Sequence, residues 1–241
     1  MRAAQKSLDN YASENVDGWV LREQPAAIFR DGRQAPVPLL AGSTNDEWVV
    51  GYDPPADPDS VESYKAWMRQ QRFFEHADVM FALYPVESDA DVRVSFLSLS
   101  ADDAGQAAYF MARDMTKIGQ NSYLYYITYP GKFKGMTIGA YHGIELRFLA
   151  GFFRKSRWGE PTEADWELAN TMRTYWTQFA RTGNPNGSGL PEWPVYDAAN
   201  NLCLEFGRNI RARPIPHLER YEVFDRVFKA RLAEQEQARR R

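Results

Sequence analysis

The feature that most restricts what this chain can become is the run Val37-Pro38-Leu39-Leu40-Ala41-Gly42, which is apolar without alternation. A strand with one wet face alternates apolar and polar residues. A continuous apolar run of strand length is instead buried on both faces, as in a parallel sheet covered by helices. The run ends in the polar turn Ser43-Thr44-Asn45-Asp46-Glu47. In open α/β sheets that carboxyl end of the strands is where functional loops gather.

A second strand is clearer still: Ser122-Tyr123-Leu124-Tyr125-Tyr126-Ile127-Thr128-Tyr129, rich in aromatic and β-branched residues and bounded by Gly119 and Pro130-Gly131. Glu192-Trp193-Pro194-Val195-Tyr196 opens a final strand region, with Leu202 to Phe206 as its expected partner. Helices alternate with these runs. Ser60 caps a predicted helix over Val61 to Phe81, and a second covers Ala101 to Gly119 with Ala104, Ala107, Ala108, Met111 and Met115 on its apolar face. The best defined runs from Glu163 to Arg181. Thr162 caps it, Asp165 sits in its first turn, and Gly183 and Pro185 stop it. Trp166, Ala169, Met172, Trp176, Phe179 and Ala180 share one face and read as core packing. Ile144 to Phe153 reads as a short helix. The stretch to Asn15 is polar, VDGWVLREQPAAIF is short and extended with a turn at Asp17-Gly18, and the charged tail from about Val227 onward is helical.

Composition removes several functions. With 25% charged residues and a net charge of −3, the chain has no basic excess of the kind nucleic acid requires. The single cysteine, Cys203, forbids an intrachain disulfide and reads as a buried strand residue between two leucines. His76, His142 and His217 stand far apart in no ligand spacing, so neither metal nor cofactor is implied. No segment has signal-peptide or membrane-helix character, and the compartment stays unassigned. Asn186-Gly187-Ser188 fits a glycosylation sequon, a tripeptide common by chance.

Several stretches, in order, resemble one family. VDGWVLREQPAAIF is followed by VPLLAGSTNDE, SYLYYITY, GAYHGIELRFLAG, YWTQFARTGNPNG and PEWPVY. The histidine segment together with FARTGNPNG is the specific part. Over about residues 16–206 the chain resembles the type B carboxylesterases and their cholinesterase-like relatives. The resemblance implies that residues 1–241 are the C-terminal part of an α/β-hydrolase fold: a partial, largely parallel sheet flanked by helices, with the N-terminal half absent. The expected tail over about 227–241 lies beyond the matched stretches.

The resemblance also implies a triad histidine at His142 and a triad acid at Glu47, in the acid-before-histidine order of α/β hydrolases. Imidazole takes and returns a proton near neutrality, and a buried carboxylate fixes its tautomer through Nδ1–H. Trp48 stands where the family has a glycine after the acid. Trp48 and Tyr141 are the candidate pocket-lining residues. The nucleophile should lie in G-x-S-x-G, but no serine here has glycine both two before and two after: Ser43 has Ala41 and Asn45, Ser122 has Gln120 and Leu124, Ser188 has Asn186 and Leu190. No glycine-rich oxyanion loop is present either. The expected substrate is a small-molecule ester, and the expected partner is the missing N-terminal half of the same fold. The chain alone should be inactive, with no membrane or nucleic-acid partner. The alternative is a non-catalytic cholinesterase-like binding or adhesion module.

Overall fold

The computed structural model describes residues 16–54, 56–69, 76–151, 153 and 159–239. They fall into two compact units, residues 1–35 and 36–241. In the first, the expected extended segment bends, because Asp17 Oδ1 accepts from the N–H groups of Trp19, Val20 and Leu21. Pro25 then opens α1 (Pro25–Arg30), a first-turn position where its missing N–H costs nothing. The expected polar opening to Asn15 lies outside the described residues.

The second unit runs β1 (Leu39–Thr44), α2 (Val61–Trp67), α3 (Ala77–Leu83), α4 (Asp89–Lys117), β2 (Ser122–Ile127), β3 (Gly131–Phe133), β4 (Met136–Ile138), α5 (Ile144–Ala150), α6 (Glu163–Thr182), β5 (Leu202–Phe206), β6 (Ile210–Pro214) and α7 (Leu218–Arg239). The main sheet has the order β1-β2-β5-β6, parallel across the first two pairings and antiparallel at β5–β6. Side chains alternate between two cores. Tyr123, Ile127, Leu204 and Phe206 join Leu168, Met172 and Tyr175 of α6. Leu124 and Cys203 point the other way, into Ala108, Tyr109 and Ala112 of α4 and Tyr221 of α7. Helices on both faces explain why β1 and β2 carry almost no charged or polar alternation, unlike the outer strand β6, which alternates arginine with apolar residues. Trp193 is fully buried among Tyr123, Tyr125, Tyr175, Trp176 and Phe206 and donates its Nε1–H to the Leu124 carbonyl at 2.9 Å. Such tilted aromatic contacts add about 0.5–1.5 kcal/mol each beyond the area they bury.

The differences from the sequence expectations have local causes. β1 begins at Leu39, since Pro38 has no N–H for a ladder, and it runs on through Ser43 and Thr44, which are buried strand residues rather than turn. α4 starts at Asp89, not Ala101. Ser88 and Asp91 form a capping box there, and Val92, Phe96 and Leu99 carry the apolar face through the added turns. Further along α4, Ala107 is exposed. The expected helix over 61–81 is two helices, α2 and α3, with residues 70–75 outside the described set. The supposed loop after Pro130 contains the hairpin β3–β4, turned at Lys134 and Gly135, both at positive φ.

Glu192–Tyr196 is not a strand. Trp193 and Tyr196 are buried from coil, and β5 takes β6 as its antiparallel partner. On α6 the buried face is Leu168, Ala169, Met172 and Tyr175, with Trp166 turned out. The tail helix begins at Leu218, ahead of the expected start. The Asn186 amide donates to Asn184 Oδ1 and the Trp193 carbonyl and accepts from Trp193 N–H, so this sequon nitrogen is bound into the fold. Cys203 is a buried free thiol, pushed up to about 12 by burial.

Candidate active site

Two loops at the carboxyl end of the parallel strands build the site. The first continues β1: Asn45 N–H donates to the Ile127 carbonyl, so the β1–β2 ladder extends one step past the strand. The second joins β4 to α5. They are laced together by main-chain and amide bonds. Asn45 Oδ1 accepts from Ala140 N–H at 3.0 Å, Asp46 N–H donates to the Ala140 carbonyl at 3.1 Å, and His142 N–H donates to the Glu47 carbonyl at 3.0 Å. Gly139 is needed here for space, since a Cβ would collide with the Asp46 carboxylate. Gly143 is needed for conformation: its φ is 75°, and it turns the chain from His142 into α5. Burial pushes the Asp46 carboxyl above the usual range, against an opposing pull from Arg93.

This lacing sets the two predicted residues side by side. His142 Nδ1 lies 2.7 Å from Glu47 Oε2, and Glu47 Oε1 accepts from Thr44 N–H, also at 2.7 Å. The Glu47 side chain is 9% exposed and the His142 ring 77% exposed. Against an ionised carboxylate, which only accepts, a neutral imidazole in this contact carries its proton on Nδ1 and keeps a lone pair on Nε2. The arrangement can take a proton at Nε2 and hold the resulting imidazolium against a buried negative charge.

Trp48, despite its bulk beside the acid, does not displace Glu47. Its indole N–H donates to Asp57 Oδ2 at 3.3 Å, and its ring lies over Gly51, 41% of the residue being exposed. Tyr141 is core: it is 5% exposed and covers Gly131 in the cluster with Ile144 and Phe148. The other histidines are elsewhere. His76 lies 3.5 Å from Glu234, and the His217 carbonyl starts α7 by accepting from Arg220 and Tyr221.

Sequence reasoning did not single out Glu145, one turn past His142. Its Oε2 is buried without a partner, and its carboxyl is pushed above the ordinary range by burial and by the charge of Glu47, with His142 pulling the other way. Its place within H-G-I-E was the only available signal. Asn45 was also missed; an amide two residues before the acid carries no sequence mark of its cross-loop bond.

Comparison with known proteins follows the same lines. Residues 3–224 match the carboxylesterase family. Liver carboxylesterase of Sus scrofa is 29% identical over 217 residues, covering 82% of this chain and 38% of the relative. Cocaine esterase of Homo sapiens is 27% identical over 220 residues, covering 82% of this chain and 39% of the relative. The chain therefore spans well under half the length of these curated relatives. Among solved structures, PNB esterase superposes with a TM-score of 0.71 at 24% identity, over 86% of this chain and 42% of that one. A thermophilic PNB esterase gives a TM-score of 0.68, also at 24% identity, covering 92% and 45%. These two likenesses are of fold, the α/β-hydrolase fold.

Proposed function

Since the chain belongs to the carboxylesterase family, we propose that it supplies the base and the acid of a carboxylic ester hydrolase, His142 as proton carrier and Glu47 as its orienting partner. The observation that carries this reading is the 2.7 Å contact between His142 Nδ1 and a Glu47 carboxylate that is itself held by Thr44 N–H, beneath a largely exposed imidazole. In the assembled enzyme a serine hydroxyl attacks the ester carbonyl. Its proton passes to His142 Nε2, the imidazolium is stabilised by Glu47, and the proton is then given to the leaving alcohol. Water releases the acyl group by the same relay in reverse. No step requires a cofactor.

Residues 1–241 hold no G-x-S-x-G, so in this reading the serine and the oxyanion donors are supplied from outside them. Loss of one oxyanion donor costs about a hundredfold or more, and loss of the nucleophile with it leaves only weak general-base hydrolysis. The partner we propose is the N-terminal half of the same fold. Among the described residues β1 is an edge of the sheet, and an apolar edge strand is a template for further pairing.

The test is an assay of residues 1–241 on a p-nitrophenyl ester, with and without a serine-directed probe. The expected outcome is no probe-sensitive turnover by the chain alone, and turnover once a half carrying G-x-S-x-G is co-expressed. Probe-sensitive hydrolysis by the chain alone would overturn the division of labour. An assembled, folded and inactive pair would favour the adhesion reading.

A further inference from the structure

A polar concavity lies on the same unit, lined by neither His142 nor Glu47. A cleft of about 260 Å³ opens between the end of β2, the hairpin strand β3, α5 and the start of α6. Three cations line it, Lys132, Arg147 and Arg208, against a single acid, Asp165. That acid is already engaged: its Oδ2 accepts from both the N–H and the hydroxyl of Thr162, at 2.7 Å each, in the cap of α6.

Arg147 is the unusual member. It is only 8% exposed, and its Nε is buried without a hydrogen-bond partner. It forms no ion pair among the described residues; its guanidinium lies over the Phe153 ring at 5.0 Å and meets the Tyr141 hydroxyl. Guanidinium does not give up its proton in proteins, so burial cannot be relieved by neutralisation. Buried charges are ordinarily paired, and this one faces a cleft whose other cations repel it. The start of α6 adds to the same field. Thr162 Oγ1 takes the Asp165 N–H and the Thr162 carbonyl takes that of Trp166, which leaves the N–H groups of Glu163 and Ala164, and Ala164 lines the cleft. Free N–H groups at a helix start favour negative charge.

We propose that this cleft is a binding site for a small oxyanion, a phosphate or carboxylate group held by Arg147, Lys132 and Arg208 at the start of α6. Its size admits such a group with a few further atoms. α5 connects it to the ester-hydrolysis site, because Ile144 and Arg147 line the cleft within the first turn and a half after His142.

Equilibrium dialysis of inorganic phosphate against residues 1–241, at constant ionic strength in chloride, tests the proposal. The expected result is saturable uptake, weakened about tenfold by Lys132→Ala and by Arg208→Ala, each loss being that of one charge-assisted hydrogen bond. Both residues are exposed, so circular dichroism should show the fold of both variants unchanged. Arg147→Met should abolish uptake, and because it removes an uncompensated buried charge its urea midpoint in chloride should not fall. If that variant fails to fold, the two surface variants still decide the matter. Acetate run in parallel separates a carboxylate site from a phosphate site, and saturable binding of either with the stated sensitivity supports the proposal. Binding of neither, or binding indifferent to all three substitutions, overturns it.

Discussion

Two buried carboxylates of this molecule are bound in opposite ways. Asp102 on α4 is 3% exposed and is closed on itself: Tyr84 donates its hydroxyl at 2.7 Å, Arg220 of α7 donates Nη1 at 2.9 Å, and the guanidinium lies over the Tyr84 ring. Glu47 is nearly as buried but gives one oxygen to Thr44 N–H and the other to a histidine whose ring stands mostly in solvent. In the first cluster both of these donors are turned onto the carboxylate, and the Arg220 bond clamps α4 to α7. In the second the chain of bonds ends on a nitrogen with a lone pair still available. Burial of a carboxylate does not separate structure from chemistry; the exposure of its partner does.

The contrast can be broken by substitution. The largest effect expected is on His142: in an assembled enzyme His142→Ala should lower kcat by about 10⁶-fold with little change in urea midpoint, measured by steady-state ester hydrolysis and by equilibrium unfolding. Glu47→Gln should lower kcat by about 10⁴-fold, because an amide can present a donor to Nδ1 and so favour the wrong tautomer. Proton NMR of the chain should show a slowly exchanging Nδ1 proton that this substitution removes. If Glu47→Gln instead lowered the urea midpoint while leaving assembled activity intact, the two carboxylates would be alike and the distinction would fall.

Arg220→Met works on the other side. It leaves the Asp102 charge buried with only a tyrosine, and should cost about 3 kcal/mol, the low end for breaking a buried pair because the Arg220 side chain is 29% exposed. Activity of an assembled enzyme should hold. A normal urea midpoint for this variant would contradict the clamp.

The smallest effect concerns Glu205 of β5. Burial raises its carboxyl, but Arg211, Thr128 and Arg213 outweigh burial and hold it below its ordinary value of 4.5. A depressed folded pKa contributes stability that is present above 4.5 and is lost as pH falls through the lower folded value. Glu205→Gln should therefore flatten the acid limb of the stability curve below that pH. An unchanged slope in urea titrations across it would show the network to be idle.

Much of this was legible in the sequence, and what was not has physical reasons. β1 was readable from its apolar run, β2 from aromatic and β-branched residues bounded by Gly119 and Pro130-Gly131, and α6 because Thr162, Asp165 and Gly183 mark both ends. The hairpin β3–β4 was not, since Lys134-Gly135 is a weak version of the usual turn pair and its strands are short and largely exposed. Trp193 and Tyr196 looked like a strand because they are large and apolar, yet a core also takes side chains from coil. At the site, His142 and Glu47 could be named from motif order. What seats them could not: the bonds from Ala140 to Asn45 and Asp46 are contacts between distant loops, and no local pattern encodes them.

The backbone bond from His142 to the Glu47 carbonyl has a consequence of its own. It fixes where these two residues stand without consulting their side chains, so the address survives whatever occupies it. A descendant that exchanged the imidazole or the carboxylate for inert groups would keep the same loops at the same separation. The proton chemistry proposed for the pair would vanish from such a lineage while its surface stayed ready for other duties.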